Sequence, residues 1–421
     1  MQKGYIVNST TSKASDFSIA YYSSDRKTGR ITTVERKAGE TSIKQVPVSA
    51  ASGKPKEEAP VFIGLTETRQ VILLDPIKKQ LEVLDTFPED AFPAHIYEDP
   101  NSACAWFMND GDKETGNDKL NCGENGSSVS VVENIYSSDA KFLKTICVGR
   151  GHHQANFTFA SERHPNVPAY GLISNLKDGT ISIIGNDPAK ENYLTVVKTI
   201  DLCEPDKEDN PASTVPNNSF PHGLVYSSHS GKIYNLNNGY GTVAVIDPIS
   251  LEIESRFNFK GHSNLFVSPG GRYVFGRGAD RKSNPDHVIA KLSVFDTETN
   301  EVIDAIDIQD VYISKYFFNP EGSRLYLTTS SSGSDAQKAN LKTDAILVFD
   351  INALPSIKQV NEARLGSSSG TLDYATENGQ TQLVLSSNST DGKLVIMDID
   401  GNELESLDVD QPNSHSRLWC I

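Results

Sequence analysis

One pair of short apolar segments recurs along this chain and constrains the fold more than any other feature. The first member is a β-branched run ending in an acidic or polar turn. The second follows after a few residues and carries more charge. The clearest copy is Thr242-Val243-Ala244-Val245-Ile246-Asp247-Pro248, followed by Glu252-Ile253-Glu254-Ser255-Arg256-Phe257. Eight such pairs can be read, headed by Ser18–Tyr21, Val71–Asp75, Ser128–Val132, Thr180–Ile184, Thr242–Ile246, Leu292–Asp296, Ile346–Asp350 and Leu394–Asp398. Short Val/Ile/Thr/aromatic runs between Gly, Asn, Asp and Pro turns are strands, and long helical periodicity is nearly absent. A repeat of roughly 40–70 residues with four short strands cannot bury its own sheet, whereas stacking repeats buries it, which is how a β-propeller is built. The expectation is an all-β chain, one β-propeller domain over 1–421. Eight blades are preferred. Seven with an N-terminal extension is the alternative, because Ser49–Glu58 is a polar Ser/Lys/Pro stretch. Asn413–Ile421 reads as a lone first strand and Gly4–Val7 as the start of the next three. Pairing the two ends would close the ring and remove an open sheet edge.

A second pattern rides on the first. His222-Gly223-Leu224-Val225-Tyr226 and His262-Ser263-Asn264-Leu265-Phe266 are each followed at the same offset by Gly231-Lys232 and Gly271-Arg272. Ser414-His415-Ser416-Arg417-Leu418-Trp419 repeats the motif, and Ala94-His95-Ile96-Tyr97 and Gly151-His152-His153-Gln154 are looser copies. Placed on innermost strands, His95, His152, His153, His222, His262 and His415 would converge on one end of one channel. Several imidazoles around one axis are costly to desolvate unless they are paired, hydrated or bound to metal. Neutral imidazole is a good ligand for Cu, Zn, Fe and Ni. The competing reading is a structural histidine in each blade. His164, His229 and His287 lie outside the register and read as loop residues. His222 and His262, matched without a gap, should sit at one height in consecutive blades.

Composition narrows the partners. The net charge is −16, and no Lys/Arg stripe tracks a phosphate backbone, which argues against nucleic acid. No run of 18 apolar residues exists, so no helical span is expected. The first residues lack an apolar signal core. The expected location is therefore periplasmic or secreted if a signal was removed, and otherwise cytoplasmic. Five cysteines occur with no Cys-x-x-Cys, and Cys104 and Cys122 are candidates to pair in an oxidising compartment. Insertions are expected at 109–125 and 204–218. The carboxylates of Asp110–Asp118 make Ca²⁺ possible there, though their glycine offset is not that of an EF-hand. No Gly-x-Ser-x-Gly, His-Glu-x-x-His or P-loop is present. Gly276–Lys282 is a basic patch that can attract an anion near a channel mouth or form salt bridges in a loop.

Strands ending in Val-Ile-Asp-Pro (245–248) and the segment Ser268-Pro269-Gly270-Gly271-Arg272-Tyr273-Val274 resemble the YVTN-type bacterial propellers, over nearly the whole chain. A narrower likeness, carried by His152-His153 and Pro221-His222-Gly223, is to the copper-site propellers nitrous oxide reductase and thiocyanate dehydrogenase. It implies copper held by the six histidines, Lys315 or Arg277 holding an anionic substrate, and electrons leaving to a separate carrier. The chain lacks nitrous oxide reductase's C-terminal electron-entry copper domain, and the repeats near Val311 and Gly366 carry Lys315 and Asp373 in place of histidine. A smaller copper centre is therefore expected, in an oxidoreductase for a small molecule or anion. The alternative function is a non-catalytic YVTN-type propeller that serves as a protein-binding scaffold.

Overall fold

The structure is a computed structural model. It describes residues 3–9, 16–23, 28–35, 43–46, 61–65, 70–75, 80–86, 92–99, 101–110, 122, 127–135, 140–209, 214–366, 369–387, 393–408 and 417–420. Six antiparallel sheets of four strands follow one another. The first holds Phe92–Glu98, Cys104–Asp110, Ser127–Glu133 and Lys141–Val148. The second holds His152–Thr158, Tyr170–Asn175, Thr180–Gly185 and Val196–Asp201. The third holds Pro221–Ser227, Lys232–Asn237, Thr242–Ile246 and Ile253–Asn258. The fourth holds Asn264–Val267, Tyr273–Asp280, Ile289–Asp296 and Glu301–Gln309. The fifth holds Ile313–Phe318, Arg324–Thr329, Ala345–Asp350 and Lys358–Arg364. The sixth holds Ser369–Glu377, Gln380–Ser387, Lys393–Met397 and Glu403–Asp408. Nearer the N-terminus, the backbone pairs Ile43–Val46, Val61–Leu65, Gln70–Asp75 and Gln80–Thr86 in that order.

The apolar clusters lie between consecutive sheets, which is the reason the sheets stack. Leu172, Ile181 and Ile183 of the second sheet pack with Leu224, Tyr226 and Ile233 of the third. Phe266, Phe275 and Leu292 of the fourth pack with Ile313, Leu325 and Leu347 of the fifth. Third strands are covered on both faces, as at Thr180–Gly185 and Thr242–Ile246, where every residue is buried. Burying each such Ile or Val fully contributes about 1.5–3 kcal/mol. Fourth strands are largely exposed, as Glu252–Arg256 suggested. In all six sheets the register between third and fourth strands shifts by one residue, between Val131 and Val132 in the first and between Ile396 and Met397 in the sixth. Such bulges increase the local twist and turn the outer strand away from its neighbour.

The acidic residue that closes the third strand of the third, fourth and fifth sheets has a local cause. Asp247 accepts hydrogen bonds from the N–H groups of Ile249 and Ser250, and its carboxylate meets Lys232 at 2.7 Å. Asp296 accepts from Glu298 N–H and meets Arg272 at 2.8 Å. Asp350 does the same with Asn352 and Arg324. Each carboxylate caps its own turn and ties it to the second strand.

The cysteine expectation is corrected. Cys122 pairs with Cys147, with a Cα–Cα distance of 5.2 Å, and Cys104 is a free thiol buried at the start of its strand. Cys122 is thereby held against the outer strand Lys141–Val148. The second insertion is anchored by its own polar groups. Glu204 accepts from the Thr242 hydroxyl at 2.5 Å and pairs with Lys207, and Glu208 accepts from Asn218 N–H at 2.7 Å. Among the described residues no helix is long and apolar enough to cross a membrane.

Candidate functional site at the propeller axis

The first strand of each sheet is its inner edge, and all six begin with an irregularity. In the first three sheets Pro93, His152 and Pro221 pair with Asn109, Asn175 and Asn237. The next residue, Ala94, His153 or His222, is bulged out before pairing resumes. Ser314 is bulged in the fifth sheet. In the fourth, Ser263 N–H bonds to the Arg277 carbonyl at 2.7 Å while Asn264 also pairs with Arg277, which gives Ser263 the same place. The sixth sheet slips between Ser369 and Leu372. This register puts His153 and His222 at equivalent positions of neighbouring sheets. His95 and Lys315 share the next position, one residue past the bulge.

His222 donates from Nδ1 to the Ser263 carbonyl, the main chain of the next inner strand. Gly223 permits that approach, because a Cβ there would lie 2.7 Å from Leu265 N. Burial lowers the His222 pKa below the ordinary 6.5, and the positive charge of Arg277 lowers it further. Arg277 reaches across the next boundary and donates from Nη1 to the Ile313 carbonyl at 2.8 Å. Its Nε is buried and makes no hydrogen bond. Burial also lowers the Arg277 pKa, against the favourable neighbourhood of Tyr312 and Tyr316. The expected salt-bridge cluster of this basic patch takes another form: Arg281 lies over the Tyr312 ring and bonds the Ser332 hydroxyl.

His262 is placed differently from the expectation. It is 6 % exposed, and its ring stacks on Phe259 with centroids 3.9 Å apart. Nδ1 bonds the Phe259 carbonyl at 3.2 Å and Nε2 meets the Ser293 hydroxyl at 2.8 Å. Nδ1 is engaged by the connection from the third sheet and Nε2 by its own sheet, and burial pushes the His262 pKa down to about 4. His262 precedes the bulge, at the register place of Pro221, and so does not share a height and direction with His222.

The other candidates are distributed as follows. His95 and Lys315 are half-buried on inner strands. His152 and His153 belong to the second sheet's inner strand, with side chains outside the described set, and His415 and 111–121 also lie outside the described residues. Among the described residues no group of three or more His, Cys, Asp or Glu comes together as a metal site. The three out-of-register histidines lie outside the strands and have partners. His164 Nε2 bonds the His229 carbonyl, His229 pairs with Glu298 at 2.7 Å, and His287 pairs with Asp310 at 2.7 Å. Sequence reasoning missed the aromatic residues Tyr97, Phe157 and Tyr226, which line a cavity beside the inner strands. Each stands three or four residues past a bulge, and that offset was the available signal.

No family model matches the sequence, and no curated protein matches it. Solved structures do resemble it. Dihydro-heme d1 dehydrogenase NirN in complex with DHE superposes with a TM-score of 0.61 at 13% identity, over 98% of this chain and 74% of that one. Apo AztD from Citrobacter koseri gives 0.56 at 11% identity over 100% and 98%. A protein from Lactobacillus plantarum gives 0.52 at 13% identity, over 99% of each chain. At these identities the shared property is the fold. The chain is an all-β propeller similar to bacterial β-propellers, and the likeness singles out no copper-site family.

Proposed function

We propose that this propeller binds a transition metal at its axis, copper first, and acts there as an oxidoreductase on a small molecule or anion. The ligands would come from His95, His152, His153, His222 and His415. His262 is excluded because both its nitrogens are engaged, by Phe259 and by Ser293. The observation that carries the reading is the bond from His222 Nδ1–H to the Ser263 carbonyl. It fixes the tautomer with the lone pair on Nε2, and a backbone carbonyl in this role is how metal-binding imidazoles are oriented. The depressed His222 pKa keeps the ring neutral near pH 7, the form that binds metal. A bound copper ion would supply one-electron redox chemistry. Arg277 and Lys315 would hold an anionic substrate, and a separate carrier would take the electrons. The test is elemental analysis after loading with copper or, in parallel, zinc. About one equivalent is expected in the parent and in His262→Phe, with loss in His222→Ala. Less than about a tenth of an equivalent of either metal in the parent overturns the reading.

A second reading, a non-catalytic binding scaffold, is favoured by His262 and by the Arg277–Ile313 bond. Both are structural hydrogen bonds at positions expected to be functional. Two finer proposals follow. The ring has eight blades closed by the chain ends, supported by the pairing of Gly4–Val7 with Arg417–Cys420 and by the strand order from Thr28–Glu35 through Asp16–Ser23 and Lys3–Ser9 to Arg417–Cys420. The compartment is oxidising, periplasmic or secreted, supported by the Cys122–Cys147 bond.

A further inference from the structure

The boundary between the fourth and fifth sheets holds a cation without a counter-charge. Arg277 is half-buried on the second strand of the fourth sheet and pairs with Asn264 of the inner strand. Cross-strand partners share one face of a sheet, and this face looks onto the fifth sheet, where Arg277 Nη1 donates to the Ile313 carbonyl at 2.8 Å. That bond leaves the opposite edge of the guanidinium, where Nε–H and Nη2–H run parallel, without an acceptor among the described residues. Nε is buried there with no hydrogen bond. Apart from His222, the ionisable groups that act on Arg277 are the phenols of Tyr312 and Tyr316, and no carboxylate of the described residues is among them. Two more donors meet the same boundary. Asn264 Oδ1 accepts from Leu265 N–H at 2.7 Å, which identifies the amide nitrogen, and that nitrogen makes no hydrogen bond among the described residues. The Tyr316 ring stacks on Phe266 with centroids 4.1 Å apart, and its hydroxyl likewise makes no hydrogen bond among the described residues. Phe266 and Phe275, the next pair on this face, stack at 5.2 Å and close the boundary with rings on that side.

We infer that Arg277, with Asn264 and Tyr316, binds a small planar oxoanion of single charge, a carboxylate or an inorganic anion of the same shape. The inference rests on the anion-holding role given to Arg277 above, and it needs no metal. A buried charge is costly unless it is paired. A water molecule would satisfy Nε–H and leave the charge uncompensated, whereas an anion answers both. Two parallel N–H bonds of a guanidinium match two oxygens of a planar anion, and a bond to each is the strong form of this pairing. The Asn264 amide and the Tyr316 hydroxyl supply donors for the remaining lone pairs. A halide offers one point to two parallel N–H bonds. A dianion such as sulfate brings a second charge that the single guanidinium does not offset.

The experiment is equilibrium dialysis of the full chain, stripped of metal with EDTA, against radiolabelled formate. Nitrate, chloride and sulfate compete at equal ionic strength. About one equivalent of formate should bind, displaced by nitrate and about tenfold or more less readily by chloride or sulfate. Arg277→Met should abolish binding. Tyr316→Phe, which keeps the ring stack and removes the hydroxyl, should weaken it about fivefold. Thermal unfolding of each variant confirms that it is folded. No saturation by formate up to about 10 mM, displacement by chloride or sulfate as ready as by nitrate, or unchanged binding in either folded variant would each overturn the inference. Because the dialysis is metal-free, formate binding in a protein that takes up no copper would count against the metal reading alone. Copper uptake without formate binding would count against this inference alone.

Discussion

Acid should destabilise this propeller through His262 in a window set by its burial. The folded imidazole has its pKa pushed down to about 4, against 6.5 ordinarily. As pH falls through 6.5 the unfolded chain takes up a proton that the folded ring refuses until about pH 4. Between these values the unfolded state binds more protons, so stability must fall as pH falls, and the loss is complete below about pH 4. A gap of about 2.5 pH units at about 1.36 kcal/mol each amounts to about 3 kcal/mol. If the 421 residues unfold together, about 2.1 cal/mol/K per residue gives an unfolding entropy near ~0.9 kcal/mol/K. The His262 contribution is then about 4 °C of Tm between pH 7 and pH 4. The assay is thermal unfolding across that range for the parent and His262→Phe. The variant loses the Ser293 and Phe259 hydrogen bonds at every pH, which lowers its whole curve. It also removes the proton, which flattens the curve. A parent that loses about 4 °C more than the variant on acidification supports the argument. Parallel curves would refute it, because a solvent-open His262 would not carry this linkage.

Other outcomes follow from the same contacts. Arg277→Met removes a buried cation whose Nε has no hydrogen-bond partner, at the cost of one freed Ile313 carbonyl. Stability in urea should change by less than about 1 kcal/mol, and the His222 pKa, read by NMR titration, should rise. Gly276→Ala places a Cβ 2.1 Å from Phe259 Cε1 and 3.0 Å from His262 Cδ2. It should cost about 1–3 kcal/mol in urea unfolding and displace the Phe259–His262 stack. Cys147→Ser opens a link between residues 25 apart in sequence. It should cost about 3.5 kcal/mol by loop-closure entropy, with dithiothreitol producing the same change in the parent and none in the variant.

The outer half of each sheet was legible because its signals are local. A β-branched run buried on both faces needs no partner to be recognised, and the Asp after it caps a turn made of the next few residues. The inner strand was read one residue out of place in the fourth sheet. Ser227 pairs with Lys232, whereas Ser268 N–H bonds to the Tyr273 carbonyl. Gly271 therefore sits one place earlier in its turn than Gly231, and matching the two glycines slipped His262 onto the place of His222. A slip of one residue exchanges a bulge residue of the inner strand for one buried between Phe259 and Ser293. The disulfide was missed for a different reason. Which thiol Cys122 meets depends on where an insertion returns, and spacing along the chain carries no record of that.

The inner strands also explain why polar residues collect at the axis whether or not they act on a ligand. Each inner strand is a sheet edge, with N–H and C=O groups that no fifth strand pairs. Side chains from the preceding sheet meet them. Gln154 Oε1 accepts from Leu224 N–H at 3.1 Å, and Asn156 Oδ1 accepts from Tyr226 N–H at 3.2 Å. His222 and Arg277 do the complementary work and donate to the Ser263 and Ile313 carbonyls. The four bonds form one series along successive boundaries, so edge capping is the first role of every member. A further role requires an atom beyond the capping one. The Arg277 Nε makes no hydrogen bond, whereas both nitrogens of His262 are spent on Phe259 and Ser293. On the proposed reading, chemistry at the axis would fall to the bulge residues beside the boundary between the third and fourth sheets, whereas His262 is a buried residue of the core.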